Sequence, residues 1–168
     1  MLAGTEHATV LAQLLASHPD LRPEAEQLAV ALLGTDTIDG VADDVAWALG
    51  AIPLEDLAAR SGRVRGRGYV HENEAAYDLL SEAVEPFLAD VRRRAVLGLV
   101  DAAVAITTGI VAGLYQSRAP EDGTVLGFAG ADTISELADD AFRNACEHGV
   151  PIPPDTAERH WPEWSSLG

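Results

Sequence analysis

The chain has 168 residues, of which 48% are hydrophobic and only 5% aromatic, and a formal net charge of −16. This length suffices for one domain with its own core, and a core of alanine, leucine and valine favours helices over sheets. The negative charge disfavours binding to phosphate backbones and to anionic lipid headgroups, so it indicates either a basic partner or a role in solubility alone.

The first sixty residues contain four apolar stripes at helical spacing. We predict helices over 5–17 and 23–33, because each begins with a residue suited to a helix start, a threonine and a proline. Their short connection predicts a helical hairpin. A third helix is expected to end at Gly50, and a short fourth helix to begin at Pro53.

An arginine-rich segment follows, with the sequence GRVRGRGYV over 62–70. It shows neither helical nor strand periodicity and contains three glycines, so we predict a loop. Four of the chain's eleven arginines lie between residues 60 and 67, in a protein that is otherwise acidic. The candidate ligand-binding or partner-binding residues are therefore those of this loop and its flanks: Arg60, Arg63, Arg65, Arg67, Tyr69 and His71.

Two roles are compatible with the arginine-rich loop. Arginine forks match phosphate and carboxylate groups, and glycines let the backbone approach a ligand, which indicates an anion-binding loop. Alternatively, the loop folds back and neutralises the protein's own acidic helices. We favour this second interpretation, because a short run of charges is only a weak indication of a binding site. The glycine spacing matches neither a P-loop, which needs a lysine and a preceding strand, nor a dinucleotide fingerprint.

The next segment carries a long apolar stripe and ends in three arginines. The stripe runs from Tyr77 to Val91 through Pro86, which predicts either a kink or a new helix at the proline. The arginines at 92–94 are expected to offset the negative end of the helix dipole. If they shared a face with the arginine-rich loop, an anion site would be favoured.

His71 and Glu74 lie one helical turn apart, as two metal ligands would. No third ligand follows at a spacing typical of a metal site, and neither an HExxH nor an ExxH pattern occurs in the chain. Glu72 and Glu74 are better explained as acids that stabilise a helix N-terminus. We therefore predict no metal and no cofactor.

A helix rich in small and apolar residues is predicted over 99–116, and Gly98 marks the turn into it. Gly109 and Gly113 are four residues apart and form a groove that permits close approach by a neighbouring backbone. The stretch is long enough to span a membrane, but its content of alanine, glycine and threonine favours a buried helix in a soluble bundle. Its one charged residue, Asp101, is expected to cap its first turn or to be a buried acid that faces the preceding arginines at 92–94.

A loop and a last helix complete the predicted domain. The loop covers 119–131 and includes a short extended piece at 124–128. Asp132 or Thr133 is placed to cap the helix, which ends before a glycine and a proline. The remaining residues, 151–168, form a proline-rich tail with two tryptophans, which we expect to dock onto the protein's own domain.

The only cysteine, Cys146, excludes an intramolecular disulfide and a multi-cysteine zinc site, which fits a reducing cytoplasm. His148 follows two residues later, but residues at this spacing face different sides of a helix, and a helix C-terminus disfavours a thiolate. We therefore predict a buried structural cysteine rather than a nucleophile.

These patterns predict an all-α protein: a single-domain helical bundle, or a short αα-hairpin array, of about six to seven helices around the buried helix 99–116. The domain is expected over 1–150 and the tail over 151–168. The predicted function is that of a non-enzymatic, cytoplasmic protein-interaction or scaffold module, whose partner is another protein or a second copy of the chain. The alternative is a sensor or enzyme for a small anionic ligand that uses the arginine-rich loop. Neither nucleic acid nor a membrane is expected as a partner, and no catalytic residue is assigned.

Overall fold

Helices dominate the structure, as the composition predicts. The computed structural model describes residues 4–34, 36–64, 66, 68–119, 123–130, 132–153 and 156. Of the residues described, 77% are helical, which confirms the all-α prediction. The described elements are α1 (Gly4–Ser17), a 3-10 turn (Pro19–Leu21), α2 (Arg22–Leu33), α3 (Ile38–Gly50), α4 (Leu54–Arg60), β1 (Gly62–Val64), β2 (Gly68–Val70), α5 (Glu72–Val96), α6 (Val100–Gln116), α7 (Val125–Phe128) and α8 (Thr133–Glu147).

The chain divides into two compact units, Met1–Thr35 and Asp36–Gly168. The first contains α1, the 3-10 turn and α2, close to the predicted helix boundaries. None of its described side chains is buried, and its apolar residues Val10, Leu14 and Leu28 are each at least 45% exposed. The hairpin expected here therefore has no buried interior among the described side chains.

The second unit is built around α6, and the prediction of a buried central helix is confirmed, since nine of its residues are buried. Ile110, Val111 and Leu114 have no exposed surface. Helices α3, α5 and α8 surround α6 and bury apolar side chains at helical spacing, among them Val45, Leu49, Leu80, Val84, Leu137, Ala138 and Ala141.

Helix α3 fills the groove of α6. A Cβ atom added to Gly109 would lie 2.6 Å from Val41 Cβ, and one added to Gly113 would lie 2.6 Å from the carbonyl oxygen of Ala42. Real Cβ atoms essentially never approach other atoms so closely, so only glycine fits at the two positions. The residue numbers rise together along this contact, and α3 and α6 therefore run in the same direction.

Helix α5 continues through Pro86 as one element of 25 residues, so the alternative of a new helix at the proline is wrong. Burial of the apolar stripe on both sides of the proline compensates for the backbone hydrogen bond that the ring removes. The helix ends at Val96, and Gly98, two residues later, has a φ of +74°. The N–H of Gly98 donates to the Ala95 carbonyl, and that of Leu99 donates to the Arg94 carbonyl. This pattern closes the helix and confirms the predicted turn into α6.

Arg94 differs from the two arginines before it because its side chain is only 4% exposed. It donates to Asp36, just before α3, and pairs with Asp90, one turn earlier on α5. Its role is therefore more than to offset a helix dipole, since it joins α5 to the start of α3. Asp101 is exposed, and the N-cap residue of α6 is Leu99, without a side-chain cap. Both expectations for Asp101 are therefore wrong.

Strands β1 and β2 pair in an antiparallel arrangement, so the prediction of a loop over 62–70 is wrong for the residues of the two strands. Each strand has three residues, too few for an alternating pattern to be recognised in the sequence. The first residue of each strand is a glycine with a positive φ, +82° in β1 and +86° in β2. The register pairs Gly62 with Val70, Arg63 with Tyr69, and Val64 with Gly68.

The piece at 124–128 forms the short helix α7, so the expectation of an extended segment is wrong. Thr124 caps α7, because its hydroxyl accepts a hydrogen bond from the Gly127 N–H at 3.3 Å. Helix α8 is confirmed, with Asp132 in the N-cap position but without a side-chain cap. It ends at Glu147, and Gly149, two residues later, has a φ of +71°.

The predicted tail is described only in part. Thr156 is buried, and Ile152 is partly buried against the core. Trp161 and Trp164 lie outside the described residues, so their expected docking stays a prediction. The domain boundary at residue 150 also stays a prediction.

Candidate functional site

Arg60 lies at the end of α4 and forms a bidentate ion pair with Glu82 of α5. Its Nη1 and Nη2 atoms donate to the two carboxylate oxygens at 2.6 and 2.8 Å. These hydrogen bonds raise the pKa of Arg60 and lower the pKa of Glu82. Arg60 therefore neutralises an acid on one of the protein's own helices. This is the role expected if the arginine-rich loop and its flanks serve to neutralise the protein rather than to bind an anion.

Three other predicted residues, Arg63, Tyr69 and His71, come together on one side of the hairpin. Arg63 and Tyr69 are directly paired across the strands and so project to the same side. His71 follows Tyr69 by two residues in extended backbone, and the two ring centroids lie 5.1 Å apart in an edge-on arrangement. All three side chains are exposed. We call this set the hairpin face.

The hairpin is anchored from its opposite side. Val70 is 4% exposed and belongs to the core, whereas its neighbour Tyr69 is 68% exposed. The alternation along β2 therefore holds an aromatic side chain in solvent on a backbone that the core positions. Arg65 and Arg67, the remaining predicted site residues, lie outside the described part of the chain.

The second arginine cluster does not share the hairpin face. It lies at the C-terminal end of α5, whereas the hairpin precedes the N-terminus of the same helix, and more than twenty helical residues separate them by about 30 Å. Its members already pair with acids: Arg92 with Glu85 at 2.5 Å, and Arg93 with Asp90 at 2.8 Å. The condition under which both clusters would form one anion site is therefore not met.

Among the described residues, an apolar cleft and a polar cleft lie near the N-terminus of α5, and neither of these two is lined by a residue of the hairpin face. An apolar cleft of about 290 Å³ lies beside α4 and α7, lined by Leu54, Leu57, Ala58, Ser61, Glu72 and Phe128. A polar cleft of about 300 Å³ lies between α5 and α8, lined by Asn73, Glu74, Tyr77, Gly130, Asp132, Thr133 and Glu136. Sequence reasoning missed the polar cleft, because its two walls are almost sixty residues apart in the chain.

The prediction of a buried cysteine is wrong, because Cys146 is exposed near the end of α8. The adjacent Ala145 is the residue that faces the core, with no exposed surface. His148 lies at the C-cap position, and its Nδ1 is 2.8 Å from the carbonyl oxygen of Asn144. The local geometry therefore directs the imidazole to the helix end.

Known proteins give no guide to the role of these residues. Comparison of the chain with protein-family models, with curated proteins and with solved structures found no match. Within the described part of the chain, no group of three or more His, Cys, Asp or Glu residues is arranged to hold a metal ion. None of the described helices combines the length and apolar character needed to cross a membrane.

Proposed function

We propose that this protein is a non-enzymatic protein-interaction module and that its partner binds the hairpin face. The observation that carries the proposal is the exposure of Tyr69, at 68%, on a strand whose next residue is in the core. Tyrosine and arginine are among the residue types that contribute most to binding at protein interfaces. A pre-positioned tyrosine also loses little conformational entropy on binding.

The partner is a protein segment that presents a carboxylate. Arg63 offers a planar guanidinium for such a group, beside the aromatic rings of Tyr69 and His71. Elsewhere the protein is strongly acidic, with a net charge of −16, so like-charge repulsion disfavours other docking positions for an acidic segment.

The test is affinity purification of the tagged full chain with quantification of each bound protein. The hairpin variant combines charge reversal of Arg63, Arg65 and Arg67 with Tyr69→Ala. The matched control is Arg93→Glu, which reverses an exposed arginine at the far end of α5. We expect at least one partner to bind the wild type and the control but not the hairpin variant. If the hairpin variant retains every partner, the proposal is wrong.

A small anionic ligand is the alternative occupant, because Arg63, Tyr69 and His71 all carry hydrogen-bond donors. A thermal-shift screen against nucleotides and sugar phosphates separates the two functions, since a specific ligand raises the melting temperature by mass action. A rise in the wild type that Arg63→Glu abolishes would favour the sensor or enzyme. Sedimentation of the wild type and of the hairpin variant compares their oligomeric states, and so tests a second copy of the chain as the partner.

A further inference from the structure

The exposed side of α3 carries three aspartates and a tryptophan. Asp39, Asp43 and Trp47 follow one another at the spacing of one helical turn, and Asp44 lies beside them, so the four side chains share one side of the helix. All four are exposed, Trp47 at 76%. None of the three carboxylates forms an ion pair or hydrogen bond with a described residue. We call this set the α3 face.

The backbone of α3 is fixed beneath this face. On the opposite side of the helix, Val41 and Val45 fill the glycine groove of α6, and Val45 has no exposed surface. A tryptophan on a helix held in this way has little backbone freedom to lose when a partner covers it. Tryptophan is also enriched among the residues that dominate binding at protein interfaces. The α3 face is therefore suited to dock a partner that brings a cation.

Among the described arginines of the second unit, Arg63 alone lacks a partner. Its side chain is exposed and forms no ion pair or hydrogen bond with a described residue. The other described arginines of this unit each pair with an acid or donate to a carbonyl oxygen: Arg60, Arg92, Arg93, Arg94, Arg118 and Arg143. Arg63 is therefore the described cation of this unit that remains available to a second molecule.

We propose that the hairpin face binds the α3 face of a second copy of the chain, which rests on the proposed function because it names the partner of the hairpin face. In this contact Arg63 of one copy donates hydrogen bonds to Asp43 and Asp44 of the other. The indole of Trp47 packs against Tyr69, beside the guanidinium, so that aromatic and cation–π contacts accompany the ion pair.

Charge complementarity favours a second copy as the occupant, because the chain itself supplies both halves of the contact. The hairpin face offers an unpaired guanidinium beside two aromatic rings, and the α3 face offers three unpaired carboxylates beside an indole. The net charge of −16 makes two copies repel each other at long range. Salt screens this repulsion beyond about 8 Å at physiological ionic strength, whereas the opposite charges of the two faces meet at hydrogen-bond distance.

The contact joins two different faces, so each half can be removed separately. Arg63→Glu removes the hairpin half and leaves the α3 face intact. Asp43→Arg/Asp44→Arg removes the α3 half and leaves the hairpin face intact. A copy of one variant can therefore still bind a copy of the other.

The test is sedimentation velocity of the purified full chain from micromolar to millimolar concentration. We expect the wild type to self-associate reversibly. Each charge-reversal variant should sediment as a monomer by itself, because like charges then meet across the contact. An equimolar mixture of the two variants should form a heterodimer. Combining the three substitutions in one chain exchanges the charges of the two faces and should restore self-association.

Two further variants separate the aromatic contact from net charge. Trp47→Ala should raise the dissociation constant at least about tenfold, and it tests the α3 face even if a charge reversal fails to fold. The matched control is Glu136→Arg/Asp139→Arg, which changes the net charge by as much as the α3 reversal does, at exposed positions on α8. It should retain self-association. Circular dichroism verifies that each variant is folded.

Several results would overturn the proposal. One is a wild type that stays monomeric over the whole range. Another is a mixture of the two folded charge-reversal variants that contains only monomers. A third is self-association that survives Arg63→Glu or that the α8 control loses equally. Affinity purification distinguishes these failures from failure of the proposed function: if the wild type is monomeric but the hairpin variant loses another protein, the proposed function stands and a second copy is not the partner.

Discussion

Gly113 of α6 lies so close to Val45 of α3 that a Cβ atom added to the glycine would come within 2.8 Å of the valine Cβ. One turn earlier, Gly109 stands in the same relationship to Val41. The two helices therefore pack with their backbones in near contact along one glycine seam. Since α6 is the helix that the other core helices surround, this seam is central to the second unit.

Replacement of Gly109 or Gly113 by alanine should destabilise the protein by about 3 kcal/mol, because the added methyl group overpacks the seam. Gly50→Ala is the matched control: it lies at the end of α3 with nothing within 4 Å of an added Cβ. It should stabilise the protein by about 0.5 kcal/mol through helix propensity. Urea unfolding monitored by circular dichroism measures all three. Equal effects of the seam and control variants would contradict the close packing.

Replacement of Arg94 by methionine should destabilise the protein by about 3 kcal/mol, because it removes a buried partner of two carboxylates. Arg93 is the control, since it pairs with Asp90 as Arg94 does but is 57% exposed. Arg93→Ala should change the unfolding free energy by less than about 0.5 kcal/mol. Urea unfolding of the two variants gives the comparison. If the two variants lost similar unfolding free energy, burial of Arg94 would not determine its contribution to stability.

The pair between Arg60 and Glu82 should make stability depend on pH at the acid end. The hydrogen bonds from Arg60 lower the pKa of Glu82 in the folded state. The pair therefore stabilises the protein at neutral pH, and this contribution is lost as the pH falls through the lowered pKa. Glu82→Gln should be less stable than the wild type at pH 7 and equally stable in acid. Melting temperatures across this range check the result, with Asp43→Asn as an exposed control; a constant difference would contradict it.

Tyr77 should ionise at a higher pH than an ordinary tyrosine. Burial, and then the charge of Asp140, raise its pKa above the ordinary value of 10.0. Because the folded state holds the phenol proton more tightly than the unfolded state, stability should fall as the pH rises above that value. Ultraviolet titration of the wild type should show a tyrosine transition above that value, and Tyr77→Phe should lack it. Asp140→Asn should lower the pKa of Tyr77 only in part, because burial is the larger cause.

The helices were predictable because each carries its own signals. Gly98 ends α5 in the conformation that its position suggests, and the spacing of Gly109 and Gly113 indicates a close helix contact before any partner is known. The hairpin was not predictable in this way, since three residues per strand leave no alternating pattern. Cys146 was misplaced because a shift of one position on a helix turns a side chain by about 100°, from the core to solvent.

The residues of the candidate site could be named from the sequence, but their contacts with one another could not be predicted from it. Arg60 and Arg63 are equivalent cations in the sequence, yet one is held by Glu82 and the other is exposed beside Tyr69. The packing of α4 against α5 decides that Arg60 pairs with Glu82. The strand register decides that Arg63 lies beside Tyr69. The polar cleft had no signal at all, because Glu74 and Glu136 are 62 residues apart in the chain.

By itself the sequence determined that the protein is all-α, that its central helix is apolar enough to be buried, and that this helix carries two glycines spaced for close packing. These are properties of residues three or four positions apart, and they follow from local geometry. Only the tertiary structure decided that α3 fills the seam, that Arg94 rather than Arg93 is buried, and that two helix N-termini enclose an acidic cleft. Each of these depends on contacts between distant parts of the chain, whose free energies arise only when the helices pack together.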